Sequence, residues 1–385
     1  MAPTADVPST SPPVSLQIVA SAVPAACEHL HSVLPRLAAS GLSIHVAMAE
    51  HLTAEYADLG VPTTSLPLPL KSRTTTDLAA ASQLRRAITA IGGVDLVHSH
   101  GFRSSALATL ALRTGRRRLG MVSTWYDLAL PVAGRGLSVR AAERVIARGV
   151  DVTLATSSEL LSRAKHLGAH DARLAPIATG EVGSSVAERR SLRLGYATEL
   201  GLNPEVPWIL VVGRVVPERS GQLLTVADRW NGLYPAPEVL AVGEGPPGVV
   251  AALRVAVAER SLRVHLLGDR ADVTTLMRAC DVFVLTSRWE SRPIAVQQAM
   301  RVGLPVVAGR LAGIAELVAD TAVLVDADDV EALAAEVAAL LADPDRARRL
   351  AQRAMRRAGS FPTEDEVAQS LALVYAEVRA RRPVV

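Results

Sequence analysis

Short runs of Val, Ile and Leu alternate along the chain with longer Ala-, Leu- and Arg-rich segments of helical period, the pattern produced by repeated βα units around a parallel sheet. The runs fall in two series. The first predicts strands at Leu16 to Ala20, Ser43 to Met48, Leu96 to His98, Met121 to Thr124 and Val152 to Thr156, with a helix through His29 to Ala39. The second starts sharply at Trp208 to Val212 and continues through Glu238 to Val242, Val264 to Leu267, Val282 to Thr286, Pro305 to Ala308 and Ala322 to Val325. Its strands are nearly unbroken apolar runs, as strands buried on both faces are. Between the series, Glu181 to Pro207 is charged and carries Gly and Pro, which marks a domain boundary. The expected division is a loose tail over 1–14, an α/β domain over 15–180, a linker over 181–206, a second α/β domain over 207–365 and a C-terminal helix over 366–385 packing back toward the first domain.

Length and composition agree with this division. A chain of 385 residues is long enough for two domains that each bury a core. The net charge of +3 comes from arginines spread along the sequence, so nucleic acid is not expected as a partner. The only cysteines, Cys27 and Cys280, have no His or Cys at metal-ligand spacing, which argues against a disulfide framework or a zinc site and fits a reducing cytoplasm. No Lys or Arg precedes the first apolar run, so the charged start of a signal peptide is missing, and charges break every long apolar stretch. The expected location is cytoplasmic, with membrane contact at most peripheral at the inner face. Arg140, Arg144 and Arg148 share one helix face, which either meets anionic headgroups or a phosphorylated acceptor, or is simply solvated.

Two segments carry candidate chemistry. Trp208 to Gly221 reads WILVVGRVVPERSG: a buried strand, a Gly-Arg turn and a helix start. The carboxyl end of a strand feeding a helix N-terminus is where α/β sheets bind phosphates, and Arg214 and Arg219 could clamp a diphosphate there, or could be solvated loop residues. In the second segment, from Asp281 to Glu316, a strand delivers Glu290 to a loop, Gln298 lies on the first turns of a helix, and Ala312-Gly313 follows a strand ending at Gly309. Small residues there let backbone N–H groups approach a phosphate, although Gly313 reads equally well as a turn residue. Asp326-Ala327-Asp328 mimics a metal-binding Asp-x-Asp but precedes a long Ala/Leu helix, so capping explains it better and no metal is expected.

Together these segments resemble the donor domain of family-four retaining glycosyltransferases of the GT-B fold, the group 1 glycosyl transferases. The resemblance rests on Gly213-Arg214, Pro217-Glu218-Arg219-Ser220, Gly243-Glu244-Gly245-Pro246 and Asp281 to Ser287, and covers most of 208–345. It implies two Rossmann-like domains with parallel sheets facing across a cleft, a nucleotide-diphosphate sugar as co-substrate with no other cofactor, an acceptor of unknown identity and transfer with retention of configuration. Arg214 and Arg219 would hold the diphosphate and Glu290 the transferred sugar. Gly213, Gly243, Glu244, Gln298, Ala312, Gly313 and Glu316 would surround the nucleotide, with Gln298 replacing a ribose-binding Glu of the family. The N-terminal half departs further. Ser21 to Ala26 lacks the family's Gly-Gly pair, His100 stands at the end of a His-x-His run, and Tyr126 falls where the family has an active-site His. His100, Trp125 and Tyr126 are the acceptor-side candidates, the last two either as a stacking wall or packed beneath a loop. A degenerate GT-B protein that binds a nucleotide or partner without turnover is the alternative.

Overall fold

The computed structural model describes residues 12–381, apart from 22, 55, 67, 69–73, 113–118, 128–135, 179–185 and 287–292. The chain divides into two compact units, Met1–Ala178 with Pro362–Val385, and Thr179–Phe361. The first contains β1 (Val14–Val19), α1 (Pro24–Ala39), β2 (Ser43–Ala49), β3 (Thr63–Leu66), α2 (Thr74–Ile91), β4 (Val94–His100), α3 (Phe102–Leu112), β5 (Gly120–Trp125), α4 (Gly136–Gly149), β6 (Val152–Ala155), α5 (Ser158–His166) and β7 (Ala172–Leu174). The second runs through α6 (Val186–Leu200), β8 (Trp208–Val212), α7 (Pro217–Asn231), β9 (Glu238–Val242), α8 (Pro247–Glu259), β10 (Val264–Gly268) and α9 (Val273–Ala279). It continues with β11 (Val282–Leu285), α10 (Ile294–Val302), β12 (Val306–Gly309), α11 (Ala312–Val318), β13 (Val323–Val325), α12 (Val330–Ala342) and α13 (Pro344–Ala358). The last helix, α14 (Glu364–Ala380), returns to the first unit.

Both sheets are parallel, with strand orders β3-β2-β1-β4-β5-β6-β7 and β10-β9-β8-β11-β12-β13. Each unit is thus Rossmann-like, and strand order reverses between β1 and β4 in one and between β8 and β11 in the other, where open α/β sheets leave room for a ligand. In the first unit α1 presents Leu30, Leu34 and Leu37 to a core shared with Leu16 and Ile18 of β1. Helix α14 completes that core with Val367, Leu371, Val374, Tyr375 and Val378. It starts from a capping box in which Thr363 and Glu366 satisfy each other's backbone N–H groups. It lies so close to β5 that a Cβ on Gly120 would sit 2.6 Å from Val378 Cγ1.

The segment expected as a linker over 181–206 instead includes α6, which packs against α9 within the second unit. Its charges are structural. Arg189 and Arg193 both pair with Asp281, and the Arg193 guanidinium lies 4.4 Å from the centre of the Trp208 ring. Strands β3 and β7 were absent from the sequence expectation, because Thr63 to Leu66 and Ala172 to Leu174 are short edge strands with few apolar positions.

Candidate functional site

The hydrophobic run of β8, with Trp208, Ile209 and Leu210 fully buried, carries the chain to Gly213 at the carboxyl edge of the sheet. There the loops after β8, β9 and β10 are joined side by side. Gly213 N–H donates to Val242 O at 2.9 Å, Val215 N–H to Glu244 O at 2.8 Å, and Gly243 N–H to Gly268 O at 2.8 Å. Glycine is required for this approach, since a Cβ on Gly243 would collide with the Gly213 carbonyl and one on Gly245 with that of Val215. A Cβ on Gly213 would meet only the Arg219 guanidinium, which lies across that glycine. Gly243→Ala should therefore lower stability by about 1–3 kcal/mol, because backbone must move. Gly213→Ala, which displaces a side chain, should cost less in a urea titration; the reverse ranking would refute this packing.

Arg214, exposed in the loop, and Arg219, half-buried on the first turns of α7, stand at one small pocket of about 30 Å³ that Gly213, Ser220 and Thr286 also line, its remaining walls being apolar side chains such as Leu223 and Leu285. The N-cap of α7 is Val216, which offers no side-chain acceptor to the first-turn N–H groups. Two guanidinium-bearing residues beside a helix N-terminus suit a doubly or triply charged phosphate group. Thr286 also borders a smaller hollow of about 10 Å³ with Gln222, Gly309 and Asp326. Ser220, on the first turn of α7, and Thr286, directly after β11, were given no role from sequence, though both stand within the motifs that carry the family resemblance. Gly243 and the exposed Glu244 adjoin through the loop hydrogen bonds.

The remaining donor-side candidates lie elsewhere or beyond description. Glu290 falls outside the described residues. Gln298 is half-buried on α10, Ala312 and the buried Gly313 open α11, and Glu316 is half-buried on α11 with its carbonyl accepting from Arg357 Nη2 at 2.6 Å. None of these lines the pocket of the arginines. The neighbour of Gln298, Gln297, is fully buried, and neither of its amide atoms has a partner among the described residues. Asp329 caps α12 by accepting from Ala332 N–H, and Asp326 accepts from Asp328 N–H. Among the described residues no group of three His, Cys, Asp or Glu is arranged for a metal, and no helix is long and apolar enough to cross a membrane. Arg140, Arg144 and Arg148 are exposed on α4.

On β4, strand alternation points His98 and His100 to the face covered by α14, so both are buried rather than presented to an open surface. His100 Nε2 lies 2.8 Å from Gln17 Oε1 and its Nδ1 2.9 Å from Tyr126 OH, while Gln17 Nε2 donates to Ser15 Oγ. An amide oxygen only accepts, so His100 carries its proton on Nε2 and Tyr126 donates to Nδ1. His98 bridges Tyr375 OH at 2.6 Å and Thr124 Oγ1 at 2.7 Å. Burial lowers the pKa of His29 to about 4; burial, then the neighbouring His29, lowers that of His98 to about 3. Burial, His98 and His29 hold His100 well below its usual value. Burial raises the Tyr126 pKa well above 10. All three imidazoles are thus neutral near pH 7. Trp125 is buried as well, its indole N–H without a partner among the described residues.

Comparison with known proteins places both halves. The family described as "Glycosyl transferases group 1" matches residues 206–343, and the "Glycosyl transferase 4-like domain" matches 28–180. A D-inositol 3-phosphate glycosyltransferase of Xylanimonas cellulosilytica is 30% identical over 321 residues, covering 76% of this chain and 74% of that protein. A protein of the same name from Segniliparus rotundus is 32% identical over 191 residues, 47% of this chain and 42% of its own length. Among solved structures, Anabaena HepE in complex with UDP and glucose superposes with a TM-score of 0.76 at 18% identity, covering 94% of this chain and 99% of that one, a likeness of fold.

Proposed function

Because this chain belongs to the group 1 glycosyl transferases of the GT-B fold, we propose that it moves a sugar from a nucleotide-diphosphate sugar to an acceptor, with retention of configuration and without a metal ion. The observation that carries this reading is the convergence of Arg214 and Arg219 on one pocket at the carboxyl edge of the second sheet. Held there, a diphosphate has its leaving-group charge stabilised by preorganised cations, the role a metal plays elsewhere. Gly213 and Gly243 let the backbone approach it, and Glu290, which follows β11 in the sequence, contacts hydroxyls of the transferred sugar. Gln298 then binds the ribose by a neutral hydrogen bond, which is weaker by about 1 kcal/mol than a carboxylate's. The chemistry left to the protein is positioning and charge stabilisation.

The test pairs a panel of sugar nucleotides with phosphorylated polyols, including inositol 3-phosphate, the compound in the relatives' names. Acceptor-dependent release of nucleoside diphosphate is expected, undiminished by EDTA, with a product whose anomeric configuration by NMR matches that of the donor. Inverted product would sink retention, and loss of activity in EDTA would sink metal independence. The inward placement of His100 and Tyr126 favours a second reading, a protein that binds a nucleotide without turnover; calorimetric nucleotide binding with no release from any pair would select it.

A further inference from the structure

Within the first unit, Cys27 and His31 stand one turn apart on α1, and the turn before β3 brings Asp58 to the same histidine. Cys27 Sγ lies 3.6 Å from His31 Nδ1, and His31 Nε2 lies 2.9 Å from Asp58 Oδ1. His31 Nδ1 is also 2.9 Å from the carbonyl oxygen of Cys27. A carbonyl and a carboxylate only accept, so the ring makes both bonds only with a proton on each nitrogen, as a cation beside the sulfur. Stacking on Tyr56, with 5.7 Å between centroids and 19° between planes, holds the ring in place. The hydrogen bond from His31 keeps the Asp58 carboxyl below the usual carboxylate range, so Asp58 stays an anion. A second influence acts on the sulfur. Cys27 belongs to the first turn of α1, which carries no acidic residue, and the N-cap, Val23, offers no side-chain acceptor. The amide dipoles of a helix start favour an anion there. A cationic histidine and a helix N-terminus are two settings that turn a thiol into a thiolate. Of the nearby acids, Glu28 is exposed to solvent, and Glu364 and Asp365 of α14 are engaged by Arg36 further along the helix.

We propose that Cys27, paired with His31 and Asp58, is a modification site that exchanges with low-molecular-weight disulfides. Its thiolate attacks one sulfur of the small disulfide, and a new sulfur–sulfur bond forms as the old one breaks. Cys27 is oxidised, while the released half is reduced and leaves as a thiolate that takes a proton from water. Cys27 is partly exposed, so a small reagent reaches it, whereas Cys280 is buried and its thiol is pushed up by burial and by Asp281 beside it. Cys27 is the only cysteine of the first unit. No second thiol of that unit resolves the product, and the mixed disulfide persists until an external thiol removes it. The site rests on no part of the transfer reaction proposed above.

Incubation of the full-length protein with oxidised glutathione, with the adduct mapped by mass spectrometry, tests this. A single adduct is expected, on Cys27, and dithiothreitol should remove it. Alkylation of Cys27 by iodoacetamide, followed against pH, should be half-maximal at or below about pH 7.5, where an ordinary thiol needs about 8.5. His31→Gln should move that midpoint up toward about 8.5 and slow thiolation at pH 7 about three- to tenfold. Asp58→Asn, at an exposed position, should move it the same way by less while leaving the thermal transition in place. An adduct on Cys280 alone, no adduct at all, or a midpoint of about 8.5 that His31→Gln leaves unchanged would overturn the proposal.

Discussion

Arg219→Ala is expected to lower kcat/KM for sugar transfer by about 100-fold, with an unchanged thermal transition. Arg219 shares its pocket with Arg214, Ser220 and Thr286 and lies across Gly213, where the loops after β8 and β9 leave only backbone. A hydrogen bond to a charged group contributes about 1.5–3 kcal/mol, and a guanidinium can make two to a diphosphate, of which about 3 kcal/mol survives as net loss. Arg219→Lys should recover part of the activity, since it restores charge without the planar fork. Arg214, more exposed to solvent, should give a smaller effect of about tenfold. The measurement is nucleoside diphosphate release against donor concentration. Kinetics unchanged in both alanine variants would remove the diphosphate from this pocket.

A second large effect is acid lability. His29, His98 and His100 are buried and neutral in the folded protein, with pKa values of about 4, about 3 and well below 6.5. In the unfolded chain each titrates near 6.5. Between these limits the unfolded state binds more protons, so stability is full above about pH 6.5 and falls as the solution is acidified. His29 and His98 each account for about 2 kcal/mol between pH 7 and pH 5, ~4 kcal/mol together, and His100 adds to this in the same direction. That is of the order of a domain's entire stability, about 5–15 kcal/mol. Urea midpoints at the two pH values measure it. His29→Phe should flatten the dependence by about 2 kcal/mol while keeping stability at pH 7, because Nδ1 gives up no protein partner among the described residues. A midpoint indifferent to pH would mean these imidazoles are not buried neutral.

The second sheet was readable because its strands are hydrophobic throughout. Trp208 to Val212 and Glu238 to Val242 coincide with β8 and β9, and the arginines of the pocket stand in short motifs at the ends of such strands. The first unit was less legible for two physical reasons. Edge strands such as β3, Thr-Thr-Ser-Leu, bury too little to produce a hydrophobic signal. One partner each of His98 and His100 comes from far along the chain, Tyr375 on α14 and Gln17 on β1, and only the folded chain brings residues so distant together. Helix α6 looked like a linker because its arginines read as solvent-facing, whereas Arg193 is bonded to the carbonyls of Ala279 and Pro204 as well as to Asp281.

That the last helix belongs to the first unit also sets the order of events on the ribosome. Val367, Leu371 and Val378 are integral to the core around β4 and β5, and Arg36 of α1 is bound to Glu364 and Asp365. Until translation has passed α14, the first unit is a nascent chain with an open apolar flank, while Thr179–Phe361 already holds all of its own segments. Synthesis runs amino to carboxyl, yet the second unit is able to mature before the first, and a premature stop before Glu364 would leave the first unit, not the second, exposed to chaperones and proteases.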